Sequence, residues 1–169
     1  MTGTLSKLDR AQFLRGNFRG NRTPVRPPWA IGETDFLDTC SRCDACVQAC
    51  PEGIIVRGGG GFPEVSFGRG ECTFCEACVA ACAPGALAVT TADAPPRRRA
   101  PWTVRAVIST ACLSAAGVTC RVCGEFCEAG AIRFALAVGG VATPAVDRDR
   151  CTGCGACVAP CPVAAVEVR

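Results

Sequence analysis

Cys40-Ser-Arg-Cys43-Asp-Ala-Cys46-Val-Gln-Ala-Cys50-Pro51 sets the architecture of the chain. Its spacing is C-x2-C-x2-C-x3-C-P, a run of thiols suited to gripping a [4Fe–4S] cube. The same spacing recurs at Cys72, Cys75, Cys78 and Cys82, and again at Cys151, Cys154, Cys157 and Cys161. A stretched copy lies between them, with Cys112 followed by Cys120, Cys123 and Cys127. These four runs use all sixteen cysteines of the 169-residue chain.

The spacing has a mechanical reason. Three thiols spaced three apart let a tight loop offer ligands to three irons of one cube. The fourth follows about one helical turn later and points away from that loop. In two-cluster bacterial ferredoxins it ligates the other cluster. Two runs therefore make two sites, each three-plus-one. The separations fit: 21 residues lie between Cys50 and Cys72, and 23 between Cys127 and Cys151. Pairing the first two runs groups Cys40, Cys43 and Cys46 with Cys82 (the first set), and Cys72, Cys75 and Cys78 with Cys50 (the second). Pairing the last two groups Cys112, Cys120 and Cys123 with Cys161 (the third), and Cys151, Cys154 and Cys157 with Cys127 (the fourth). The expected fold is α+β: two tandem bacterial-type 2[4Fe–4S] ferredoxin-like units related by an internal repeat, behind a mostly irregular N-terminal leader.

Composition agrees with cofactors replacing part of a core. Leu, Ile, Val and Phe number 37, about 22% of the chain, which barely clears the level at which chains stop folding unaided. Folding is then expected to depend on metal, because no site exists in the unfolded chain. A disulfide scaffold fits poorly, since the N-terminus shows no apolar export segment and thiols three apart make poor disulfide partners. Zinc is the stronger competitor, but structural zinc takes paired C-x2-C or histidine. Here triples dominate and histidine is absent. The formal charge of +3 would fall to about −5 with four oxidised clusters and their thiolates. The basic pI of the bare sequence is therefore no sign of nucleic-acid binding. The longest apolar stretch, Ala106–Val118, is too short to span a membrane and reads as a buried strand entering the third run.

Four segments follow. Residues 1–35 form a basic leader with a short helix. Ser6 and Asp9 bracket a capping pattern, Leu5, Leu8, Ala11 and Leu14 keep helical spacing, and Gly16 ends it. The leader then offers Arg15, Phe18, Arg19, Arg26 and Trp29 as an Arg/aromatic arm for a partner, the bland alternative being a solvated tail. Residues 36–90 form the first ferredoxin-like unit, with two cluster sites. Ile54–Val56 and Glu64–Phe67 form its hairpin around Gly58–Gly61, and Ala86–Val89 its closing strand. Helical turns are expected to begin near Ala45 and Ala77, where small residues let backbone N–H groups approach the cluster sulfurs. Residues 91–101 read as a Pro/Arg linker. Residues 102–169 form the second unit, with two further sites. Its strands are Trp102–Ile108, Ala131–Val138, Val141–Val146 around the Gly139-Gly140 turn, and Ala165–Arg169.

The repeat is visible after each fourth cysteine. The chain reads Cys50-Pro-Glu-Gly53, Cys82-Ala-Pro-Gly85, Cys127-Glu-Ala-Gly130 and Cys161-Pro-Val-Ala164. Glycine at the third place marks where a helical turn must end. The long gap after Cys112 leaves room at the third set for a missing cluster, a three-iron cluster or a loosely held one, so the chain offers up to four clusters.

Catalytic chemistry finds little support. Histidine and tyrosine are absent, no nucleophile–base pair stands out, and no loop has the lysine and spacing of a phosphate loop. An electron-transfer or cluster-handling protein, not an enzyme, is the expectation.

Taken together the residues resemble the NapF family, ferredoxin-type accessory proteins of periplasmic nitrate reductase systems. The likeness rests on Arg10-Ala-Gln-Phe-Leu-Arg-Gly16, Arg26-Pro-Pro-Trp29, Cys40–Cys46, Arg57-Gly-Gly-Gly-Gly-Phe-Pro63, the stretched third run and Cys151–Cys157. Ala83 and Glu128 depart from it, standing where proline follows the fourth cysteine in the other runs. The resemblance implies a cytoplasmic, monomeric protein whose partner is the precursor of the nitrate reductase catalytic subunit. It would help load or reduce that subunit's own cluster before export. The alternative is a soluble polyferredoxin that only carries electrons between redox enzymes.

Overall fold

The computed structural model describes residues 24–136 and 142–169. The expected leader helix, Arg15, Phe18, Arg19 and the Gly139-Gly140 turn lie outside the described residues. Elements are short, because cysteine loops take up much of the chain. In order they are α1 (Glu33–Thr39), α2 (Ala45–Ala49), β1 (Ile55–Arg57), a 3-10 turn (Gly59–Gly61), β2 (Pro63–Val65), α3 (Ala77–Ala80), β3 (Ala106–Ile108), α4 (Val122–Glu125), β4 (Ile132–Leu136), β5 (Ala142–Val146) and β6 (Val166–Val168). The mix of helix and strand agrees with the α+β expectation. No helix among the described residues is long and apolar enough to cross a membrane.

The strands pair antiparallel in three two-stranded sheets. β1 and β2 form the expected hairpin, in register Ile55↔Val65. β4 and β5 pair as Ile132↔Val146. β3 pairs with the closing strand β6, as Ala106↔Val168. Isolated two-stranded ribbons are marginal in water, so each depends on what it packs against.

The helical turns at Ala45 and Ala77 begin where expected. Helix α1 straddles residue 35, and residues 25–31 before it are built into the fold. Ala30 bridges Leu87, with the Ile31 N–H donating to Ala86 O at 3.1 Å and the Ala88 N–H to Trp29 O at 2.9 Å. Residues 29–31 thus stand to 86–88 as β3 stands to β6. The Val65 N–H also donates to Val25 O at 2.7 Å. Side chains follow the backbone inward: Pro27 and Phe36 are fully buried and Trp29 is only 3% exposed.

The linker at 91–101 makes backbone hydrogen bonds of its own. The Thr91 N–H donates to Arg97 O at 2.9 Å and the Arg99 N–H to Val89 O at 2.7 Å, so the segment doubles back on itself. Arg98 forms an ion pair with Glu76.

One core runs across both halves of the chain. Phe36, Ile54, Ile55, Phe62, Phe67, Ala86 and Leu87 of the N-terminal half share a cluster with Val168, and Trp102, Val104 and Val158 pack against it. Trp102 meets Phe67 and Phe74 edge-on, each at 5.9 Å between ring centres, and Phe74 meets Trp29 at 6.4 Å. Those roles explain why only Ala106–Ile108 of the expected strand Trp102–Ile108 pairs as a strand. A smaller cluster gathers Ala106, Ile132 and Val166 around Cys123 and Cys157.

Candidate metal centres

Three small pockets among the described residues are lined by cysteines. One is bordered by Cys40, Cys43, Cys46 and Cys82. A second is bordered by Cys50, Cys72, Cys75 and Cys78. A third is bordered by Cys127, Cys151, Cys154 and Cys157. These are the first, second and fourth sets, each drawing three thiols from one run and one from another. The third set comes together around buried Cys123, whose thiol feels the charges of Cys112, Cys161 and Cys120. No group of three or more His, Cys, Asp or Glu among the described residues is arranged around a single metal ion. A cube does not need that convergence, because it presents a separate iron to each thiolate.

The loops owe their curvature to left-handed backbone on either side of the middle cysteine. Arg42 and Asp44 flank Cys43 at φ 58° and 61°, and Phe74 and Glu76 flank Cys75 at 55° and 61°. Gly153 and Gly155 hold the same places around Cys154 at 76° and 85°. Non-glycine residues rarely adopt this conformation, so the first two loops hold strain that the fourth avoids. Aligning the runs exposes the signal: glycines of the fourth run mark positions that the first two fill with other residues. Gly155 has a second constraint, since a Cβ there would lie 2.0 Å from the Phe67 ring.

After the fourth cysteine of each run the same turn appears. N–H groups of Gly53, Gly85, Gly130 and Ala164 donate to the carbonyls of Cys50, Cys82, Cys127 and Cys161, at 3.2, 3.1, 2.8 and 3.2 Å. The next residue then turns its own N–H onto sulfur in the last two runs. Ala131 donates to Cys127 Sγ and Ala165 to Cys161 Sγ, both at 3.2 Å. The Ala106 N–H reaches Cys151 Sγ at 3.5 Å. Such donors stabilise charge on sulfur and tune a cluster's potential.

The stretched third run is closed by a residue that spacing did not single out. Ser114, 2% exposed, donates its hydroxyl to Cys120 O at 2.5 Å. The Ala116 N–H donates to Cys112 O at 3.0 Å and the Val118 N–H to Leu113 O at 2.9 Å. The extra residues fold back into a compact loop that returns Cys120 to the neighbourhood of Cys112. A lone serine among Thr, Ala and Gly gives no local pattern, so only the folded loop reveals it.

In the bare protein the buried sites disfavour charge on their thiols. Burial pushes the Cys46, Cys72 and Cys123 thiols up to about 11, and Cys78 and Cys157 up to about 12. Neighbouring thiols add to the rise, Cys40 and Cys82 at Cys46 and Cys72 at Cys78. Exposed Cys43 goes the other way, lowered by the Ala45 N–H and then by Ser41. To become thiolates there, out of water, they would need a compensating positive charge, which iron would supply. Trp29 points the same way. Its indole N–H is buried with no acceptor among the described residues, and its side chain borders the second set's pocket. A cluster sulfur there would give that donor a partner. The residues present therefore fit [4Fe–4S] cubes, which when bound supply reversible one-electron chemistry.

Two expected partner contacts are used internally instead. Arg26 donates to both carboxylate oxygens of Glu33 at 2.9 and 3.0 Å and to Pro63 O at 3.3 Å. Its guanidinium lies over the Phe36 and Phe62 rings, 5.2 and 5.5 Å from their centres. Trp29 is buried beside the second set. Neither side chain is free to meet a partner; both fasten the leader to the core.

The thiol sets and the short α+β scaffold define an iron–sulfur protein of the ferredoxin class. The profile of the 4Fe-4S dicluster domain matches residues 39–114 and 118–165, the break falling inside the loop closed by Ser114. The chain is similar to the ferredoxin-type protein NapF of Haemophilus influenzae, at 44% identity over 98% of this chain and 96% of that one. It is 41% identical to the ferredoxin-type protein NapF of Escherichia coli, over 96% of each chain. A methylamine utilization ferredoxin-type protein, MauM of Methylorubrum extorquens, is 30% identical over 98% of this chain and 80% of its own length. The chain belongs to the NapF family of ferredoxin-type proteins and carries multiple [4Fe–4S] clusters.

Proposed function

We propose that each four-thiol set holds one cube, that the halves are tandem ferredoxin-like units related by an internal repeat, and that the protein is an accessory factor for periplasmic nitrate reductase. In this reading it acts in the cytoplasm as a monomer. It binds the precursor of the reductase catalytic subunit and helps load or reduce that subunit's cluster before export. The observation that carries the assignment is the likeness to NapF proteins over nearly the full chain, leader included. The repeated turn after each fourth cysteine supports the internal repeat.

Because Arg26 and Trp29 are spent on the core, the partner arm narrows to Arg15, Phe18 and Arg19. Full-length protein carrying Arg15→Glu, Phe18→Ala and Arg19→Glu should keep its iron but capture far less reductase precursor in a pull-down. Undiminished capture with unchanged iron content would remove the support for a partner arm. The second reading, an electron carrier between redox enzymes, is favoured by the exposure of Cys43 and Cys75 at two of the sites. It predicts that the triple variant still accepts and passes electrons at the wild-type rate, with no precursor binding in either protein.

A further inference from the structure

Within each half the interleaving ties two sets together. Helix α2 carries Cys46 of the first set and is followed at once by Cys50 of the second. Helix α3 carries Cys78 of the second set, and Cys82 of the first follows shortly after it. In the C-terminal half Cys123 and Cys127 at α4, and Cys157 and Cys161, make the same link between the third and fourth sets. The junction between halves is less expected. The Cys72 N–H donates to Cys154 O at 2.8 Å, joining a ligand of the second set to one of the fourth. Phe67 lies against Gly155 beside that contact and leaves no room for a side chain there.

We propose that the four sets stand in one row, in the order first, second, fourth, third, and that the Cys72–Cys154 contact is where an electron crosses between the halves. Each transfer moves one electron: the giving site is oxidised by one, the receiving site is reduced by one, and no proton moves. A one-electron donor outside the protein fills the row, and a one-electron acceptor empties it. The proposal rests on the reading that each set holds a cube. Iron content separates failure of that reading from failure of the row.

The test uses full-length protein purified without air, together with Cys43→Ala and Cys120→Ala, which each remove a set at one end. Iron and sulfide are counted first; each variant should hold about twelve irons where the wild type holds about sixteen. All three are then fully reduced with dithionite and examined by EPR, in which a paramagnetic neighbour splits or broadens a centre's signal. In a row, loss of the first set leaves the second beside the fourth, and loss of the third leaves the fourth beside the second. Neither variant should then show an isolated centre. Cys154→Ala should show one, because the third set loses its neighbour. If the halves hold two separate pairs, Cys43→Ala and Cys120→Ala will each display a sharp, uncoupled signal, and the row is overturned. Either end variant alone decides the matter, so failure of one to fold leaves the test intact. If the third set is empty in the wild type, Cys43→Ala still decides it through coupling of the second and fourth sets. Iron far below these counts in the wild type contradicts the cube-per-set reading instead.

Discussion

Ala164 stands where Gly53, Gly85 and Gly130 stand in the other runs, and it takes the same left-handed conformation, at φ 48°. Alanine is strained there, while glycine is not. Ala164→Gly should therefore stabilise the holoprotein by about 0.5–1 kcal/mol, read as a higher denaturant midpoint for loss of cluster absorbance. No change or a fall would mean that the turn is not held by this backbone geometry. The thiols make a second prediction. At neutral pH the buried ones, at about 11 to 12, keep their protons, and cluster assembly must expel them. Raising the pH lowers the cost of releasing those protons to solvent, so reconstitution with ferrous iron and sulfide should be more complete at about pH 8.5 than at about pH 7. The sign reverses for any folded iron-free form. Its thiols hold protons more tightly than the ordinary 9.0, so the unfolded chain ionises first and stability falls as pH rises from about 9 towards 12. Reconstitution independent of pH would argue against buried protonated thiols.

At the scale of elements, the third run turns on its loop. Ser114→Ala leaves the part-buried Cys120 carbonyl without its donor, a loss of about 1–3 kcal/mol concentrated on the third set. Iron should fall from about sixteen towards about twelve per chain, with the other three sets retained; unchanged iron would show that the loop closes without the hydroxyl. The cysteine runs and their interleaving were legible in the sequence because ligand spacing is local: three residues or four decide which way a thiol faces. The hairpin Ile55–Val65 was legible for the same reason, a short apolar pair around consecutive glycines. Residues 26–31 were not. Arg-Pro-Pro-Trp-Ala-Ile has neither alternation nor helical period, and its place is fixed by partners far along the chain, Pro63, Leu87 and Pro101. Arg26 looked like a surface charge because charge alone does not reveal that Glu33 and two phenyl rings await it. The fold-back of residues 91–101 was hidden in the same way, since a Pro/Arg linker gives no sign of backbone bonds such as Arg99 N–H to Val89 O and Thr91 N–H to Arg97 O.

For the whole molecule, a core with so few large apolar side chains extends through both halves and closes around sulfur. Cys72 and Cys78 belong to the larger cluster, and Cys123 and Cys157 to the smaller. Among the described residues the strands form two-stranded sheets, with no layered core to hold them together without cofactors. Removing iron with a strong chelator under anaerobic conditions should therefore cost the protein its tertiary structure, seen as collapse of NMR dispersion; a well-dispersed iron-free spectrum would contradict that. The joined core also means that the halves should unfold together on chelation rather than one after the other. The central claim, that four interleaved thiol sets hold four cubes which give the chain both its shape and its redox role, is met most directly by one assay. Iron and acid-labile sulfide are counted per chain in protein isolated without air. The account predicts about sixteen of each in brown protein that bleaches on reduction, whereas colourless protein holding zinc and no sulfide would contradict it.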